Sequence, residues 1–253
     1  MRRYWILLFV SVLAVRVTRA EVCDPGAFHG AYGFSMTGTT NIGGATRSVA
    51  VVGRMVLQDS GNLSGISSAS FIGLVLGNRV TGKYEAHSDC SVTWTFQDPS
   101  GAFQHFAGTM SADGGQVNFR QADPGGPEDG IMLRTRDRCS VSSLAGTFDF
   151  TAAGSTVDVV TAAESGRVSL QGVLIPDGLG NLSFLSGKGQ PAVPAGIYEV
   201  AGDCFVTLTL ELPVDGKPTP ATHFRAIVVD GGRGVLGMQI DPGAVVPLRM
   251  ISE

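Results

Sequence analysis

The chain has 253 residues, of which 43% are hydrophobic, and this is enough apolar material for a substantial core. Charged residues make up 16%, against roughly 25% in an average soluble protein, which excludes coiled coils and long exposed helices. The formal net charge is −4, and it becomes −8 without the first twenty residues, because 14 basic residues then face 22 acidic ones. Such an acidic chain repels phosphates, so we predict no nucleic-acid partner.

The first twenty residues have the layout of a secretory signal peptide. A basic pair at Arg2 and Arg3 is followed by an apolar stretch over residues 4–15 and by the small residue Ala20. That stretch is shorter than the roughly 20 apolar residues that a membrane-spanning helix needs. We therefore predict a signal peptide at residues 1–20 and a secreted mature protein that does not span a membrane.

The rest of the chain is an internal repeat, in which a series of segments recurs in the same order at an offset of 114 to 119 residues. The matched segments are 30–35 with 146–151, 61–64 with 180–183, 82–85 with 196–199, 89–93 with 203–207, 105–106 with 223–224, 113–115 with 230–232 and 121–125 with 239–243. Repeats of one length in one order indicate a duplicated structural unit. We expect one unit at residues 21–137 and a second at residues 138–253.

The four cysteines follow the same repeat. Cysteines of exported proteins tend to pair, and four of them allow three pairings. Cys23 and Cys139 each lie seven residues before the matched glycines Gly30 and Gly146, while Cys90 and Cys204 lie in matched Asp-Cys pairs. The repeat therefore favours Cys23–Cys90 and Cys139–Cys204, one bridge in each unit. No CxxC pair is present and the chain has only four histidines, so no metal site is predicted.

Each unit has the pattern of short β-strands. Residues 91–96 and 205–210 alternate apolar and hydroxyl side chains, which is typical of a half-buried strand. Turn pairs such as Gly114-Gly115 and Gly231-Gly232 separate about eight such runs in each half. Short antiparallel strands bury their edges best by closing into a barrel. We predict an all-β protein with two tandem antiparallel barrels of about eight strands, one disulfide in each.

The sequence contains no nucleophile elbow, phosphate-binding loop, dinucleotide fingerprint or HExxH motif. Candidate site residues come instead from a comparison of the two halves. Trp94 takes the place of Leu208, and Arg120 takes the place of Met238, so both residues break the symmetry. Polar residues that both halves share are further candidates: Tyr84, Tyr198, His105, His223, Gln121 and Gln239. Ordinary core packing for Trp94 and an exposed strand face for Arg120 are the alternatives.

Two N-glycosylation sequons, at Asn62 and Asn181, lie in the matched Gly-Asn-Leu-Ser segments. Because those segments have the composition of turns, both asparagines are expected at the surface. They would carry glycans in a eukaryotic secretory pathway and would be plain turn residues in a bacterium.

The repeat unit resembles a known group of secreted proteins. Its marks are a Gly-x-Tyr/Phe-x-Phe opening strand, a Gly-Asn-Leu-Ser turn and a Gly-x-Tyr-Glu strand followed by Asp-Cys. In these features residues 24–250 resemble secreted β-barrels that are similar in architecture to allene oxide cyclase and dirigent proteins. A fungal branch of that group comprises the hetero-Diels–Alderases of tropolone–sesquiterpenoid biosynthesis.

The resemblance implies a cofactor-free cycloaddition between a tropolone ortho-quinone methide and a humulene-type terpene. Such a reaction needs orientation of two apolar partners, exclusion of water and a hydrogen-bond donor near the tropolone oxygens. Under this hypothesis Trp94 and Met238 form apolar walls, while His105, His223 and Gln239 contact substrate. The expected donors are Arg120, Tyr84, Tyr198 and Gln121.

Two other functions fit the same residues. One is a non-enzymatic, lipocalin-like carrier of a small apolar ligand. The other is a structural surface protein with filled barrels, because an eight-stranded barrel is just wide enough for side chains to fill it. The low proportion of charged residues is also compatible with a homodimer.

Overall fold

The computed structural model describes residues 22–42, 44–125, 128–185, 191–212 and 220–252. They form two closed antiparallel β-barrels in tandem, which confirms the predicted fold class and repeat. In the first barrel each strand pairs with the next, and β8 pairs with β1 to close the ring. Its strands are β1 (Gly30–Ile42), β2 (Ala45–Leu57), β3 (Asn62–Phe71), β4 (Leu74–Ala86), β5 (Ser91–Gln97), β6 (Phe103–Met110), β7 (Gln116–Gln121) and β8 (Glu128–Arg134).

The second barrel repeats this order. Its strands are β9 (Phe148–Val157), β10 (Glu164–Pro176), β11 (Asn181–Leu185), β12 (Val193–Val200), β13 (Phe205–Leu210), β14 (Thr222–Val229), β15 (Gly234–Gln239), β16 (Ala244–Val245) and β17 (Pro247–Ser252). β17 closes the ring against β9, and the two-residue strand β16 extends that pairing along β9. Helical structure within the described residues is limited to three 3-10 turns, at Pro25–Ala27, Val141–Ser143 and Asp230–Gly232.

The strands alternate as the sequence predicts. In β5, Val92, Trp94 and Phe96 are buried, whereas the residues between them are exposed or half-buried. Successive side chains of a strand point to opposite faces, so the apolar set of β5 fills the barrel interior. Trp94 accordingly lies in the core of the first barrel.

One disulfide bridges each barrel, and both predicted pairings are confirmed. Cys23 is joined to Cys90 and Cys139 to Cys204. Each bridge joins the segment before the first strand of its barrel to the tight turn before the fifth strand of that barrel. Cys90 and Cys204 both have positive φ, of 70° and 69°, so the two turns share one backbone conformation.

The two barrels pack against each other along β1 and β2 of the first and β14 and β15 of the second. Ala50 and Val52 of β2 belong to the apolar cluster that contains the core of the second barrel. Two buried hydroxyls add polar contacts: Ser70 Oγ donates to the Ala244 carbonyl at 2.7 Å, and Thr135 Oγ1 donates to the Val228 carbonyl at 2.6 Å. The interface therefore has both apolar packing and satisfied polar groups.

The predicted signal peptide at residues 1–20 lies outside the described residues. Among the residues that the structure describes, none of the helices has the length and apolar character required to cross a membrane.

Candidate functional site

The first barrel has a cavity of about 280 Å³ at one end of its interior. Apolar side chains from four strands form its walls, and a few polar groups line it as well. The lining consists of Phe34, Met36, Thr40, Val49, Val51, Ser67, Ala69, Phe71, Asn78, Phe96, Gln104 and Glu128. An apolar concavity with few polar groups is the usual form of a small-molecule site.

Glu128, the first residue of β8, is the one titratable side chain in that lining. The residue is only 5% exposed, and no hydrogen bond or charge within the described residues acts on its carboxyl group. Burial without a partner disfavours the charged form and raises the pKa of Glu128 to about 7. The cavity therefore contains a carboxyl group that exchanges a proton near neutral pH.

Glu128 also breaks the symmetry of the repeat. It lies opposite Gly38 in the β8–β1 pairing. The pairing of β16 and β17 with β9 brings Val246, which is fully buried, to the same position in the second barrel. The sequence comparison missed this difference because the matched segments end at Gly125 and Gly243. Continuing the alignment three positions past Gly125, at the same offset of 118 residues, would have matched Glu128 with Val246.

A layer of aromatic rings lies beneath the cavity. Phe34 and Phe96, which line it, have ring centroids 5.7 Å apart, and Phe96 lies 5.1 Å from Phe106. Phe106 stacks on Trp94 at 5.3 Å, and Phe119 meets Trp94 edge-on at 4.9 Å. Trp94 is 3% exposed, and its Nε1 has no hydrogen-bond partner among the described residues. Trp94 is thus two ring contacts away from the cavity.

The two predicted tyrosine donors are tied to the backbone of separate barrels. Tyr84 Oη donates to the Gln58 carbonyl at 2.8 Å, and Tyr198 Oη donates to the Leu144 carbonyl at 2.7 Å. Desolvation by burial raises the pKa of both hydroxyls. The structure does not bring these tyrosines together, and neither lines the cavity.

The predicted histidines and glutamines form the same cluster in each barrel. His105 Nδ1 lies 2.7 Å from Asp123 Oδ1, and the His105 backbone N–H donates to Oδ2 at 2.6 Å. Gln121 Nε2 adds a contact of 3.3 Å to that carboxylate. The second barrel repeats the arrangement, with His223 and Gln239 around Asp241. Because each cluster links two neighbouring strands, these residues are placed to stabilise a strand pair.

Arg120 and Met238 do not reach the cavity. Arg120 points outwards from β7, with its side chain 67% exposed, and its Nε donates to Asp129 Oδ1 at 2.7 Å. Met238 is fully buried in the cluster of the second barrel, whereas Trp94 belongs to that of the first. The two predicted apolar walls therefore lie in different cores.

The sequon asparagines are both exposed, at the first positions of β3 and β11. Asn62 Nδ2 donates to Ser60 Oγ at 2.9 Å, and Asn181 Nδ2 donates to Asp177 Oδ2 at 2.6 Å.

A second concavity, of about 350 Å³, lies between the barrels. Arg54 and Arg79 line it from the outer face of the first barrel, and Asp203 and Phe205 line it from the second. The Arg225 guanidinium stacks over the Phe205 ring at 4.3 Å. This cleft already contains charges of both signs, in contrast to the lone carboxyl group of the barrel cavity.

Within the described part of the chain, no group of three His, Cys, Asp or Glu side chains is arranged to hold a metal ion.

Comparisons with known proteins add little to this geometry. No protein-family model and no curated protein matches the chain. Among solved structures, one provisionally assigned as AttH from Nitrosomonas europaea is 10% identical and covers 97% of this chain and 98% of its own, with a TM-score of 0.27. A DUF3598-family protein of unknown function from Nostoc punctiforme is also 10% identical, covering 92% and 98%, with a TM-score of 0.25. Similarity at this level says nothing about function.

Proposed function

We propose that the first barrel binds one small, largely apolar molecule in its open end. The observation that supports this most directly is the cavity of about 280 Å³ between Phe34, Phe71 and Phe96, with Glu128 in its wall. Its volume lies just below the roughly 300–1,000 Å³ that is typical of small-molecule sites. A cavity of this size has room for one small ligand, which also argues against a barrel interior filled entirely by side chains.

The protein would act as a secreted carrier, similar in principle to a lipocalin. Two disulfides support an oxidising compartment, because such bonds persist there and are rare in the cytosol. The predicted signal peptide would direct the chain to that compartment. Binding requires only the apolar walls and no chemical step.

The test is binding of the neutral fluorescent probe N-phenyl-1-naphthylamine to two matched variants. Ala69 lines the cavity, and Ala69→Phe would fill it. Ala107 lies on the outer, exposed side of β6, so Ala107→Phe adds the same side chain outside the barrel. We expect probe binding to be at least about tenfold weaker in Ala69→Phe, a loss of about 1.4 kcal/mol in binding free energy. Binding should be unchanged in Ala107→Phe. Equal binding by both folded variants would place the probe elsewhere and reject the proposal.

The second candidate is the hetero-Diels–Alder reaction that the resemblance implies, and Glu128 is the observation that favours it. A carboxyl group with a pKa of about 7 is suited to general acid–base catalysis near neutral pH. Protonated Glu128 would give its proton to the departing hydroxyl of the hydroxymethyl tropolone, and the resulting carboxylate would take the tropolone O–H proton. Water and the quinone methide are the products, and the terpene alkene would then approach from the open end.

This candidate is tested by incubating the purified protein with a quinone-methide precursor and humulene. Catalysis predicts more adduct and a different stereochemical ratio than in the protein-free control, with the rate enhancement reduced in Glu128→Gln. Yield and stereochemistry equal to the control would reject the reaction and would leave ligand binding as the function.

A further inference from the structure

We infer that the cavity of the first barrel selects molecules that carry a protonated amine on an apolar body, with the nitrogen held against Glu128. This inference rests on the proposed function and specifies the chemical class of the ligand. It goes beyond binding of an apolar molecule because it assigns a positive charge to the part of the ligand that lies against Glu128.

The described part of the cavity supplies no counter-charge for Glu128. The Glu128 carboxylate faces a lining with no other titratable side chain, and it has no partner among the described residues. A buried carboxylate is costly unless it is paired with a positive group. Because no described side chain supplies that group, a ligand cation would.

Three charged residues of the first barrel are already engaged. Asp129 points outwards and pairs with Arg120. Asp123, which follows β7, is bound by His105. Arg47, on the same strand as Val49, donates to the Ala162 carbonyl of the second barrel. Desolvation is the only cause that shifts the pKa of Glu128, so no neighbouring charge acts on it.

The walls around Glu128 also suit an organic cation. Phe34, Phe71 and Phe96 present aromatic rings to the cavity, and aromatic faces attract organic cations. An alkylammonium group has three N–H donors. Glu128 can accept one of them, and the side-chain oxygens of Asn78 and Gln104, which also line the cavity, can accept others. Apolar walls and several acceptors around one carboxylate fit an aralkyl amine.

The alternative is that Glu128 stays protonated and donates a hydrogen bond to a neutral ligand. The two possibilities predict opposite effects of pH. An ammonium ligand favours the ionised carboxylate, so its affinity rises as the pH increases through about 7. A carbonyl ligand favours the protonated acid, so its affinity falls over the same range.

The experiment compares 1-naphthylmethylamine with its uncharged isostere 1-ethylnaphthalene, each displacing N-phenyl-1-naphthylamine from the purified protein. At pH 8 we expect the amine to bind at least about tenfold more tightly than the isostere, as a charge-assisted hydrogen bond would provide. At pH 5 that preference falls towards onefold. Glu128→Gln abolishes the preference.

Asp129→Asn is the matched control, because it removes the same charge one residue away on the outer face of β8. It is expected to keep the full preference for the amine. Equal affinity of the wild type for both compounds, or a preference that grows as the pH falls, would overturn the inference and leave ligand binding intact. If neither compound nor the probe binds, the proposed function itself fails and the inference fails with it.

Discussion

Glu128 of the first barrel and Val246 of the second occupy the same position in the pairing between the closing strand and the first strand of their barrels. Both side chains are buried, but one carries a carboxyl group and the other is aliphatic. A duplicated fold requires only a buried side chain at this position, and the second barrel shows that valine meets that requirement. The carboxyl group therefore has a cost in the first barrel that structural stability alone does not explain.

That cost predicts a pH-dependent stability. The pKa of Glu128 is raised from 4.5 to about 7, so its protonated form stabilises the fold fully below 4.5, and this stability is lost as the pH rises through 7. This shift in pKa corresponds to roughly 3 kcal/mol of folding free energy. Glu128→Gln should unfold with a free energy that changes less between pH 4.5 and pH 8, as measured by denaturant titration with the disulfides intact. An unaltered pH profile in Glu128→Gln would contradict the raised pKa, and Asp129→Asn serves as the control.

The contact between the barrels gives a second prediction. A Cβ on Gly33 would lie 2.6 Å from Val229 Cγ1 and 2.9 Å from Ile227 Cγ2, so the second barrel leaves no room for it. Gly33→Ala should destabilise the protein by about 1–3 kcal/mol, because an overpacked interface must shift. Gly77→Ala is the control, since its Cβ would have a single neighbour, the Ser67 carbonyl oxygen at 4.0 Å. Equal free energies of unfolding for the two variants would show that the barrels do not pack closely at Gly33.

The fold was predictable because its signals are local and repeated. Alternation along Ser91–Gln97 gives the strand and its buried face, and equal spacing of Cys23 and Cys139 from their repeats gives the disulfide pairing. The alternation of buried and exposed residues along β7 likewise predicts the orientation of Arg120. Val117 and Phe119 are buried, so the residue after Phe119 must point to the opposite face, towards solvent.

The cavity was not predictable in the same way. Phe34, Phe71 and Phe96 come from three different strands, and they meet around one volume only because the barrel closes. The importance of Glu128 depends on that enclosure, since an exposed glutamate at the start of a strand would have an ordinary pKa. A sequence pattern carries neither the volume of a barrel nor the solvation of a side chain within it.

The disulfides give a third prediction. The Cys139–Cys204 bridge spans 65 residues, and a closed loop of that length stabilises a fold by roughly 4 kcal/mol in the chain-entropy model. Replacing both cysteines with alanine should lower the free energy of unfolding by a comparable amount, as measured in denaturant under non-reducing conditions. The Cys23–Cys90 bridge should persist in this variant, as seen by non-reducing peptide mapping. A wild-type map in which Cys90 is joined to Cys204 would contradict the pairing.

The repeated histidine–aspartate clusters give the last prediction. Asp241 accepts hydrogen bonds from the His223 backbone and from Gln239 at 2.8 and 2.9 Å, and lies 2.7 Å from His223 Nδ1. Burial opposes ionisation of this carboxyl, but these hydrogen bonds outweigh it and lower its pKa below 3.8. A carboxyl whose pKa is lowered on folding stabilises the fold at any pH above its pKa in the unfolded chain. That stabilisation is lost as the pH falls through its pKa in the folded protein.

Asp241→Asn should therefore destabilise the protein by about 1–2 kcal/mol at pH 7, because an amide is a weaker acceptor than a carboxylate. The deficit relative to the wild type should begin to shrink as the pH falls below 3.8, where the unfolded chain takes up a proton, and it should shrink further until the pH lies below the lowered pKa of the folded carboxyl. Asp203→Asn is the control, since within the described residues Asp203 accepts a single side-chain hydrogen bond, from the Phe205 N–H at 3.3 Å. If both variants lose the same stability at pH 7, the cluster adds nothing beyond an ordinary turn. If only Asp241→Asn loses stability, the duplicated histidines and glutamines serve the strand pairs rather than the ligand site.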